Sequence, residues 1–371
     1  MRKYFLLPLM LLPLLPVAQT FHLFIGTYTG KGSKGIYVYK FNASKGTAEW
    51  VSNTDSAANP SYLTVSPTGK YIYAVNETGG DKPGTISSYS FDRGTGKLSF
   101  INQQLTGGDA PCYVSITKGN NLVMVANYSG GSLSAFGVNN DGSLNPFSQL
   151  IQHSGSGVNK QRQDKPHVHS VVFSPMQDYL FTSDLGLDKV MIYKVNAEDS
   201  KPLSPANPPF VAVRAGSGPR HFTFHPNGKF AYLMQEMSGT VGAYKYNNGN
   251  LTFLEDVATH RSGFKGRIGS ADIHVSPDGK FLYASNRGDE NNIAIFSINQ
   301  STGKLKLKGF QSTRGRTPRN FMIDPTGNYL LAANQDTDNI VIFKRNKVTG
   351  LLKETGKQIK VSMPVCLQML K

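Results

Sequence analysis

The sequence is poor in charged side chains and lacks the spacing that marks helices. Asp, Glu, Lys and Arg make up 17% of its 371 residues, whereas it contains 38 Gly and 20 Pro. No stretch places apolar residues three and four apart over the length of an amphipathic helix. A mainly helical fold is therefore excluded, and short strands joined by tight turns are expected.

Cysteine is also scarce, since Cys112 and Cys366 are the only two. No Cys and His residues have the spacing of a zinc site, and no Gly-rich loop leads from a strand into a helix as in nucleotide sites. We therefore expect no metal or cofactor. One alternative stays open, a calcium ion held by Glu77, Asp184 and the recurring Asn side chains described below.

Basic residues outnumber acidic ones, which gives the chain a formal net charge of +15. They are scattered rather than clustered, and no nucleic-acid-binding motif is present. Nucleic-acid binding is therefore not expected. The excess suits an anionic substrate or an anionic surface.

The N-terminus has the layout of a secretory signal, basic at Arg2 and Lys3, then apolar and Pro-rich, then small at Ala18. Cleavage after residue 18 would remove both basic residues, lower the charge from +15 to +13 and leave a mature chain of residues 19–371. The apolar segment is too short to span a bilayer well. No cysteine stands at the cleavage site, so a lipid anchor is not expected. An exported protein is expected; the alternative is an ordinary buried N-terminal segment.

Residues 218–236 indicate a β-hairpin, because two alternating strands flank a Pro-Asn-Gly-Lys turn at 226–229. The same unit recurs along the chain, at 61–77, 112–128, 169–185, 220–236, 271–287 and 319–335. The successive starts differ by 51, 57, 51, 51 and 48 residues. A period near 50 residues built from strands predicts a β-propeller.

Two further strands follow each hairpin, for example 85–91 and 97–103, so that each unit is a four-stranded blade. Segments 21–29, 35–41 and 48–53 at the front and 364–370 at the back remain for a seventh blade. Their pairing would close the ring and remove exposed sheet edges. We expect an all-β, seven-bladed propeller as one domain, with the cysteines in separate blades as free, mostly buried thiols. A closed ring needs no partner, so a monomer is expected.

Comparing equivalent positions of the repeats separates structural residues from candidate site residues. Nine positions after the turn proline the side chain is always polar, which indicates a structural cap: Asn76, Asn127, Asp184, Gln235, Asn286 and Asn334. The next position varies: Glu77, Tyr128, Leu185, Glu236, Arg287 and Gln335. So does the position six before the turn: Ser61, Cys112, His169, Arg220, Ala271 and Arg319.

A hairpin returns the chain to its starting level, so both variable sets should lie at one mouth of the channel. His169, Arg220, Glu236, Arg287 and Arg319 would then face each other in a polar pocket. Three arginines and a histidine exceed what one carboxylate needs, which favours an anionic ligand. The alternative is a set of solvated ion pairs at the rim of a non-catalytic propeller.

The remaining candidates are weaker. Alternation places His167 on the same side as His169 but further out, and the loop 154–165 is expected at the rim of the channel. His221 and His274 are predicted to lie on blade-packing faces and His225 beside a turn, all as structural residues. Asp272 and Asn320 follow the variable position by one residue and are expected to support the site.

Several motifs resemble a known family: FIGTYT at 24–29, SPTGKYIYAVNE at 66–77, KPHVH at 165–169, GPRH at 218–221, VSPDGKFLYASNR at 275–287 and PRNF at 318–321. The chain resembles the propeller-type lactonases over essentially its whole mature length. This family includes bacterial 6-phosphogluconolactonases and the fungal carboxymuconate lactonising enzyme. The resemblance implies a seven-bladed propeller with the site at the channel mouth.

The resemblance also implies a catalytic set of one His, two Arg and one Glu, which matches His169, Arg220, Arg287 and Glu236. Glu236 or His169 would be the general base on water, and the arginines would stabilise the oxyanion or grip the substrate. Glu236 beside arginines should stay ionised, so that His169 suits proton transfer near neutral pH. The expected substrate-binding residues are Arg319, His167, Glu77, Tyr128 and Gln335.

The activity expected from the resemblance is hydrolysis of a small anionic sugar-acid lactone by a carboxylic-ester hydrolase. Export departs from the cytoplasmic metabolism of 6-phosphogluconolactone and leaves the identity of the lactone open. Two alternatives remain, a muconate-type cycloisomerase using the same residues and a non-catalytic propeller that binds an anionic ligand or a protein.

Overall fold

The computed structural model describes residues 19–370, which form strands almost throughout. The predicted signal peptide, residues 1–18, lies outside the described residues. The first eleven strands are β1 (Thr20–Thr27), β2 (Tyr37–Asn42), β3 (Thr47–Asn53), β4 (Tyr62–Val65), β5 (Tyr71–Asn76), β6 (Thr85–Asp92), β7 (Lys97–Leu105), β8 (Pro111–Ile116), β9 (Leu122–Asn127), β10 (Ser132–Gly137) and β11 (Gln149–Gln152).

The next twelve strands are β12 (Val168–Phe173), β13 (Tyr179–Asp184), β14 (Lys189–Val195), β15 (Leu203–Ala212), β16 (Pro219–Phe224), β17 (Phe230–Gln235), β18 (Thr240–Asn247), β19 (Asn250–Ala258), β20 (Ser270–Val275), β21 (Phe281–Asn286), β22 (Asn292–Ile298) and β23 (Leu305–Ser312). The last five are β24 (Pro318–Ile323), β25 (Tyr329–Asn334), β26 (Asn339–Arg345), β27 (Leu352–Lys360) and β28 (Pro364–Leu370). A 3₁₀ turn spans Gln335–Thr337. Within residues 19–370, no helix is long and apolar enough to cross a membrane.

These strands form seven antiparallel sheets of four strands each, one per blade. Six sheets are consecutive in sequence, from β4–β7 to β24–β27. The first blade has the order β28-β1-β2-β3, so that the C-terminal strand is its innermost one and pairs with β1 from His22↔Leu370 onwards. The predicted seven-bladed ring, closed by the two ends of the chain, is confirmed.

A repeated aromatic contact joins neighbouring blades. Gly303, in the turn between β22 and β23, has a φ of +73°, and a Cβ there would lie 2.3 Å from the Phe230 ring of the preceding blade. The Tyr232 hydroxyl of that blade also donates to the Gly303 carbonyl at 2.9 Å. The same contact closes the ring, because Gly46 of the first blade lies against Tyr329 of the last. Apolar clusters fill the rest of each blade interface.

The recurring polar position caps the blades in which it is Asn, whereas Gln235 contacts Thr240 and Asp256 of its own blade instead. Asn286 donates from Nδ2 to the Thr259 carbonyl at 2.7 Å, and its Oδ1 accepts from Ser270 Oγ at 2.7 Å. Asn76 and Asn334 donate in the same way to carbonyls of the segment that enters their blade. These side chains hold the entering chain against the second strand and so fix the level of the channel mouth.

The two cysteines are free and buried, which confirms the prediction. Cys112 lies in β8 and Cys366 in β28, two innermost strands of different blades.

Candidate active site at the channel mouth

β-Bulges build the mouth of the channel. In β8, β12, β16, β20 and β24 the pairing with the next strand shifts at the beginning of the strand. The residues left out of the regular pairing include His169, Arg220 and Arg319 of the variable set. A bulge re-aims side chains, which explains why these groups point towards the axis rather than into the blade interface.

Glu236 is the centre of the site. Its Oε2 lies 3.0 Å from Arg220 Nε and 2.9 Å from Arg287 Nη2, and its Oε1 lies 2.7 Å from Arg162 Nη2. The Glu236 side chain is 8% exposed, whereas that of Arg162 is 45% exposed. The cluster therefore closes the mouth from the buried side, and Arg162 is its most exposed guanidinium.

The three arginines control the charge of Glu236. Burial alone would raise the pKa of this carboxyl, but Arg287, Arg220 and Arg162 outweigh it and hold the pKa well below its usual range. Glu236 is thus ionised at neutral pH. As long as all three pairs persist, it is a weak proton acceptor.

His169 lies below Glu236, packed against Cys112 and edge-on to His221 with the ring centroids 5.4 Å apart. Burial, followed by the charge of Arg220, holds the pKa of His169 well below its usual range. The imidazole is therefore neutral at pH 7. The sequence predicts a pKa near neutrality for His169. This prediction is wrong, because the buried position of the imidazole lowers its pKa.

A second ion pair lies across the mouth. Arg319 Nη2 lies 3.5 Å from Glu77 Oε2, and its guanidinium lies 5.5 Å from the centre of the Tyr28 ring. Tyr28 donates from its hydroxyl to the same Glu77 oxygen at 2.8 Å. Tyr28 and Glu77 raise the pKa of Arg319 despite its burial. The sequence predicts Arg319 and Glu77 separately as substrate-binding residues, and the structure joins them in an ion pair.

Tyr128 and His167 form the third side of the mouth. Their rings are stacked 4.6 Å apart, and the Tyr128 hydroxyl accepts from Arg162 Nη2 at 3.3 Å. His167 is buried rather than exposed at the rim, with Nδ1 3.1 Å from the Tyr128 carbonyl. Gln335 lies in the 3₁₀ turn and is half-buried; its backbone amide donates to the Thr317 carbonyl. Among the described residues, no side-chain contact joins Gln335 to the Glu236 cluster.

Deeper in the channel, Asp272 binds two histidines. Its Oδ1 lies 2.7 Å from His221 Nδ1, and its Oδ2 lies 3.0 Å from His274 Nε2 and 2.6 Å from Asn320 Nδ2. The prediction that His221 lies on a blade-packing face is wrong. The bulge at its position adds one residue to the channel side, so that His221 follows Arg220 inward. Asp272 and Asn320 contact this lower cluster and not Glu236.

The sequence profile of the family described as "Lactonase, 7-bladed beta-propeller" matches residues 22–369. This match covers nearly all of the described structure, including every residue of the mouth. The chain belongs to this lactonase family.

Among the relatives of this lactonase-family protein, a 6-phosphogluconolactonase of Formosa agariphila is 45% identical over 349 residues, 94% of this chain and 99% of that protein. A 6-phosphogluconolactonase of Bacillus subtilis is 36% identical over 349 residues, 94% and 97% of the two chains. The periplasmic gluconolactonase PpgL of Pseudomonas aeruginosa superposes with a TM-score of 0.92 at 38% identity, covering 95% of this chain and 99% of its own.

The carboxylates of this lactonase-family protein do not converge as a calcium site requires. Asp184 lies 2.6 Å from His153 Nδ1 and accepts three backbone amides, while Glu77 is held by Tyr28 and Arg319. Across residues 19–370, no group of three or more His, Cys, Asp or Glu is placed to hold a metal ion. The arrangement gives the calcium alternative no support.

Sequence reasoning missed two residues of the mouth. Tyr28 occupies in the first blade the position of Glu77 in the second, directly after the second-strand cap. Aligning FIGTYT with the six hairpins would have found it, but this blade is split between the chain ends. Arg162 lies in the loop 154–165, outside the repeat, so no comparison of blades places it. Its contact with Glu236 confirms that this loop lies beside the channel.

Proposed function

We propose that the protein hydrolyses a sugar-acid lactone at the channel mouth, as a carboxylic-ester hydrolase. Membership of the lactonase family and relatives named 6-phosphogluconolactonase and gluconolactonase support this function. The observation that carries the assignment to the mouth is one ionised carboxylate, Glu236, held by three arginines. A site for acyl chemistry needs a base and cations for a developing oxyanion, and this cluster supplies both.

The charge balance of the mouth favours an anionic lactone. Four arginines face only two carboxylates there, since Arg162, Arg220, Arg287 and Arg319 surround Glu236 and Glu77. This leaves a formal excess of two positive charges. Guanidinium forks bind phosphate and carboxylate groups in a bidentate manner. A phosphorylated sugar lactone therefore fits the site better than a neutral one.

Glu236 is proposed as the general base. An anionic group of the substrate competes for the partly exposed Arg162 and draws it from Oε1. Loss of that partner raises the pKa of Glu236 towards its usual range, which makes the carboxylate a better proton acceptor. Glu236 then removes a proton from water as the water oxygen bonds to the lactone carbonyl carbon. The ring C–O bond breaks in the next step, and the leaving alkoxide takes the proton that Glu236 removed from water. The carboxylic acid product then releases its own proton to solvent.

Arg287 and Arg220 are proposed to stabilise the oxyanion. Arg287 is held by its Nε to the Gly269 carbonyl at 3.0 Å, and Arg220 by its Nη1 to the Ala271 carbonyl at 2.5 Å. These bonds fix both guanidinium groups before the substrate arrives, which lowers the reorganisation needed in the transition state. Neutral His169 is proposed to act as a hydrogen-bonding group of the site rather than as an acid.

The remaining proposed substrate contacts surround this centre. Arg319 extends the anion-binding surface, and Tyr128 with His167 forms a stacked wall beside Arg162. Glu77 orients Arg319 through their ion pair. Gln335 is the outermost member, at the rim on the side of the last blade.

We also propose that the protein acts outside the cytoplasm, after removal of residues 1–18. The layout of the N-terminus supports export, and the similar protein from Pseudomonas aeruginosa is described as periplasmic. Edman sequencing of the mature protein from the exported fraction should begin at Gln19. Recovery of the uncut chain from the cytoplasm would contradict the proposal.

The test of the activity is proton release by the mature chain on 6-phosphoglucono-δ-lactone, with glucono-δ-lactone beside it. Both open spontaneously, so rates are compared with the Glu236→Gln variant. We expect kcat/KM to fall by roughly 10²–10⁴-fold in this variant, the usual contribution of a general base. The phosphorylated lactone should react with the higher kcat/KM.

Glu354→Gln provides a matched control, because Glu354 also pairs with an arginine, Arg314, at the exposed outer side of the last blade. This variant should keep full activity. Equal rates for wild type and Glu236→Gln on both lactones would contradict the proposed function.

A further inference from the structure

A small cavity lies in the channel directly beneath the proposed active site. Its volume is about 10 Å³, near the minimum for one water-sized particle. The lining includes Ser61, Cys112, His169, Arg220, His221 and Arg319. These residues come from five innermost strands or the segments that enter them, so the cavity lies on the axis of the ring.

Guanidinium groups, which only donate hydrogen bonds, line this cavity together with polar groups that can donate or accept. Neither Asp nor Glu is among the residues that line it, whereas two arginines are. Ser61 Oγ is buried and has no hydrogen-bond partner among the described residues. A buried hydroxyl without a partner calls for a bound particle that accepts its hydrogen bond.

The two arginines repel each other across this space. Burial, Arg287 and Arg319 lower the pKa of Arg220 to about 10, which outweighs the stabilising charge of Glu236. Glu236 is shared by three arginines and cannot neutralise Arg220 alone. Buried charges are normally compensated, so a negative charge placed between Arg220 and Arg319 would be stabilised.

We propose that this cavity is a binding site for a single halide ion, held by Ser61 Oγ, Arg220 and Arg319. A halide is a single atom, whereas phosphate and carboxylate groups are too large for the space. Water would satisfy the hydroxyl but not the excess charge. The ion thus occupies a position separate from the substrate, which binds on the solvent side of the cavity beside Arg162 and Arg287.

The site has a consequence for the fold. An ion at this position joins the second, fifth and seventh blades through Ser61, Arg220 and Arg319. It binds the closed ring and not the unfolded chain, in which these residues are far apart. Halide binding should therefore stabilise the folded protein by mass action.

The first test uses crystals of the mature chain soaked in sodium bromide, with diffraction measured at the bromine absorption edge. We expect an anomalous peak on the axis within contact distance of Ser61 Oγ and Arg319. Surface peaks without a peak in the cavity would overturn the proposal and assign the space to water. This test does not depend on any lactone being hydrolysed, so that it can fail while the proposed function holds.

The second test compares the melting temperature in sodium bromide and in sodium methanesulfonate at equal ionic strength. Only the bromide should raise it in a saturable way. Ser61→Ala should weaken the apparent bromide affinity roughly tenfold, the effect of losing a hydrogen bond to a charged group. Ser115→Ala is the matched control, because Ser115 Oγ is also buried without a partner but lies outside the cavity. Identical curves in the two salts, or a bromide effect unchanged by Ser61→Ala, would overturn the assignment.

Discussion

At the scale of single residues, Arg162 and Arg220 are suited to different tasks at the channel mouth. Its side chain is 45% exposed and rests on Glu236 and Tyr128 from a loop, whereas Arg220 is buried and fixed by the blade. The exposed arginine can move to a ligand at little cost, and the buried one cannot. The first is therefore suited to recognition and the second to the chemical step.

The Arg162→Ala variant tests this division. We expect the KM for 6-phosphoglucono-δ-lactone to rise about tenfold, because one charge-assisted contact to the substrate is lost. The kcat should not fall, since removal of one cation raises the pKa of Glu236 and makes it a better base. The melting temperature should stay close to that of wild type, as for other exposed ion pairs.

Lys160→Ala, in the same loop, is the control and should leave both parameters unchanged. An equal rise in KM for glucono-δ-lactone would show that Arg162 does not recognise charge. A large fall in melting temperature would assign Arg162 to structure instead.

His221 makes the stability of the fold depend on pH. Burial and Arg220 lower the pKa of His221 from 6.5 to about 4, although Asp272 opposes this. Below pH 6.5 the unfolded chain therefore binds a proton that the folded chain does not bind. This contribution to the free energy of unfolding should fall between pH 6.5 and about 4, by at most about 1.4 kcal/mol per pH unit.

Urea unfolding of the mature chain at several pH values measures this slope. His221→Gln should show a shallower loss of stability over the same interval, because the protonation difference is removed. A slope identical to wild type would contradict the assignment.

At the scale of elements, the hairpins were predictable and the bulges were not. Pro-Asn-Gly-Lys and related turns fix the strand pairs, and equivalent positions of the repeat separate caps such as Asn286 from site residues such as Glu236. A bulge, in contrast, adds a residue without a marked change in the apolar alternation. For this reason His221 was predicted to lie on the wrong face, and its contact with Asp272 could not be foreseen.

The blade caps should be costly to remove. Asn286→Ala deletes both the donor to the Thr259 carbonyl and the acceptor for Ser270 at 2.7 Å, and leaves Ser270 Oγ with longer contacts to Thr259 and His260. We expect a loss of roughly 2–4 kcal/mol in the free energy of unfolding, measured with urea. Asn250→Ala at an exposed turn is the control and should change it by less than about 0.5 kcal/mol. A small effect for Asn286→Ala would contradict the structural role of this position.

At the scale of the whole molecule, contacts between blades hold the ring, and the turn glycines are central to them. Gly303→Ala would place a Cβ against the Phe230 ring at a positive φ, which combines backbone strain with a steric clash. Gly263 has a similar φ of +75°, but no atom lies within 4 Å of a Cβ there. We expect about 1 kcal/mol of destabilisation for Gly263→Ala and about 2–4 kcal/mol for Gly303→Ala.

Thermal or urea unfolding of the two variants separates the backbone strain from the steric clash. The difference between their losses of unfolding free energy measures the contribution of the contact between blades. Equal losses for both would show that only backbone strain matters and that the aromatic contact contributes nothing.

The ring itself was predictable, because strands left over at both ends of the chain have one arrangement that removes the sheet edges. The loop that carries Arg162 was not, since it lies outside the repeat and its position depends on contacts across the mouth. The sequence therefore predicts the frame, and of the four residues predicted to be catalytic, Arg220, Glu236 and Arg287 are joined by ion pairs into one centre. The surroundings of that centre follow from packing, which periodicity does not encode.

The pairing of β28 with β1 also sets the order of events during synthesis. The innermost strand of the first blade, β28, follows all the other described strands in sequence and is therefore made after them. Until β28 has been made, one edge of β1 has no partner strand and the ring stays open. Closure of the ring therefore comes after all the other described strands have been made.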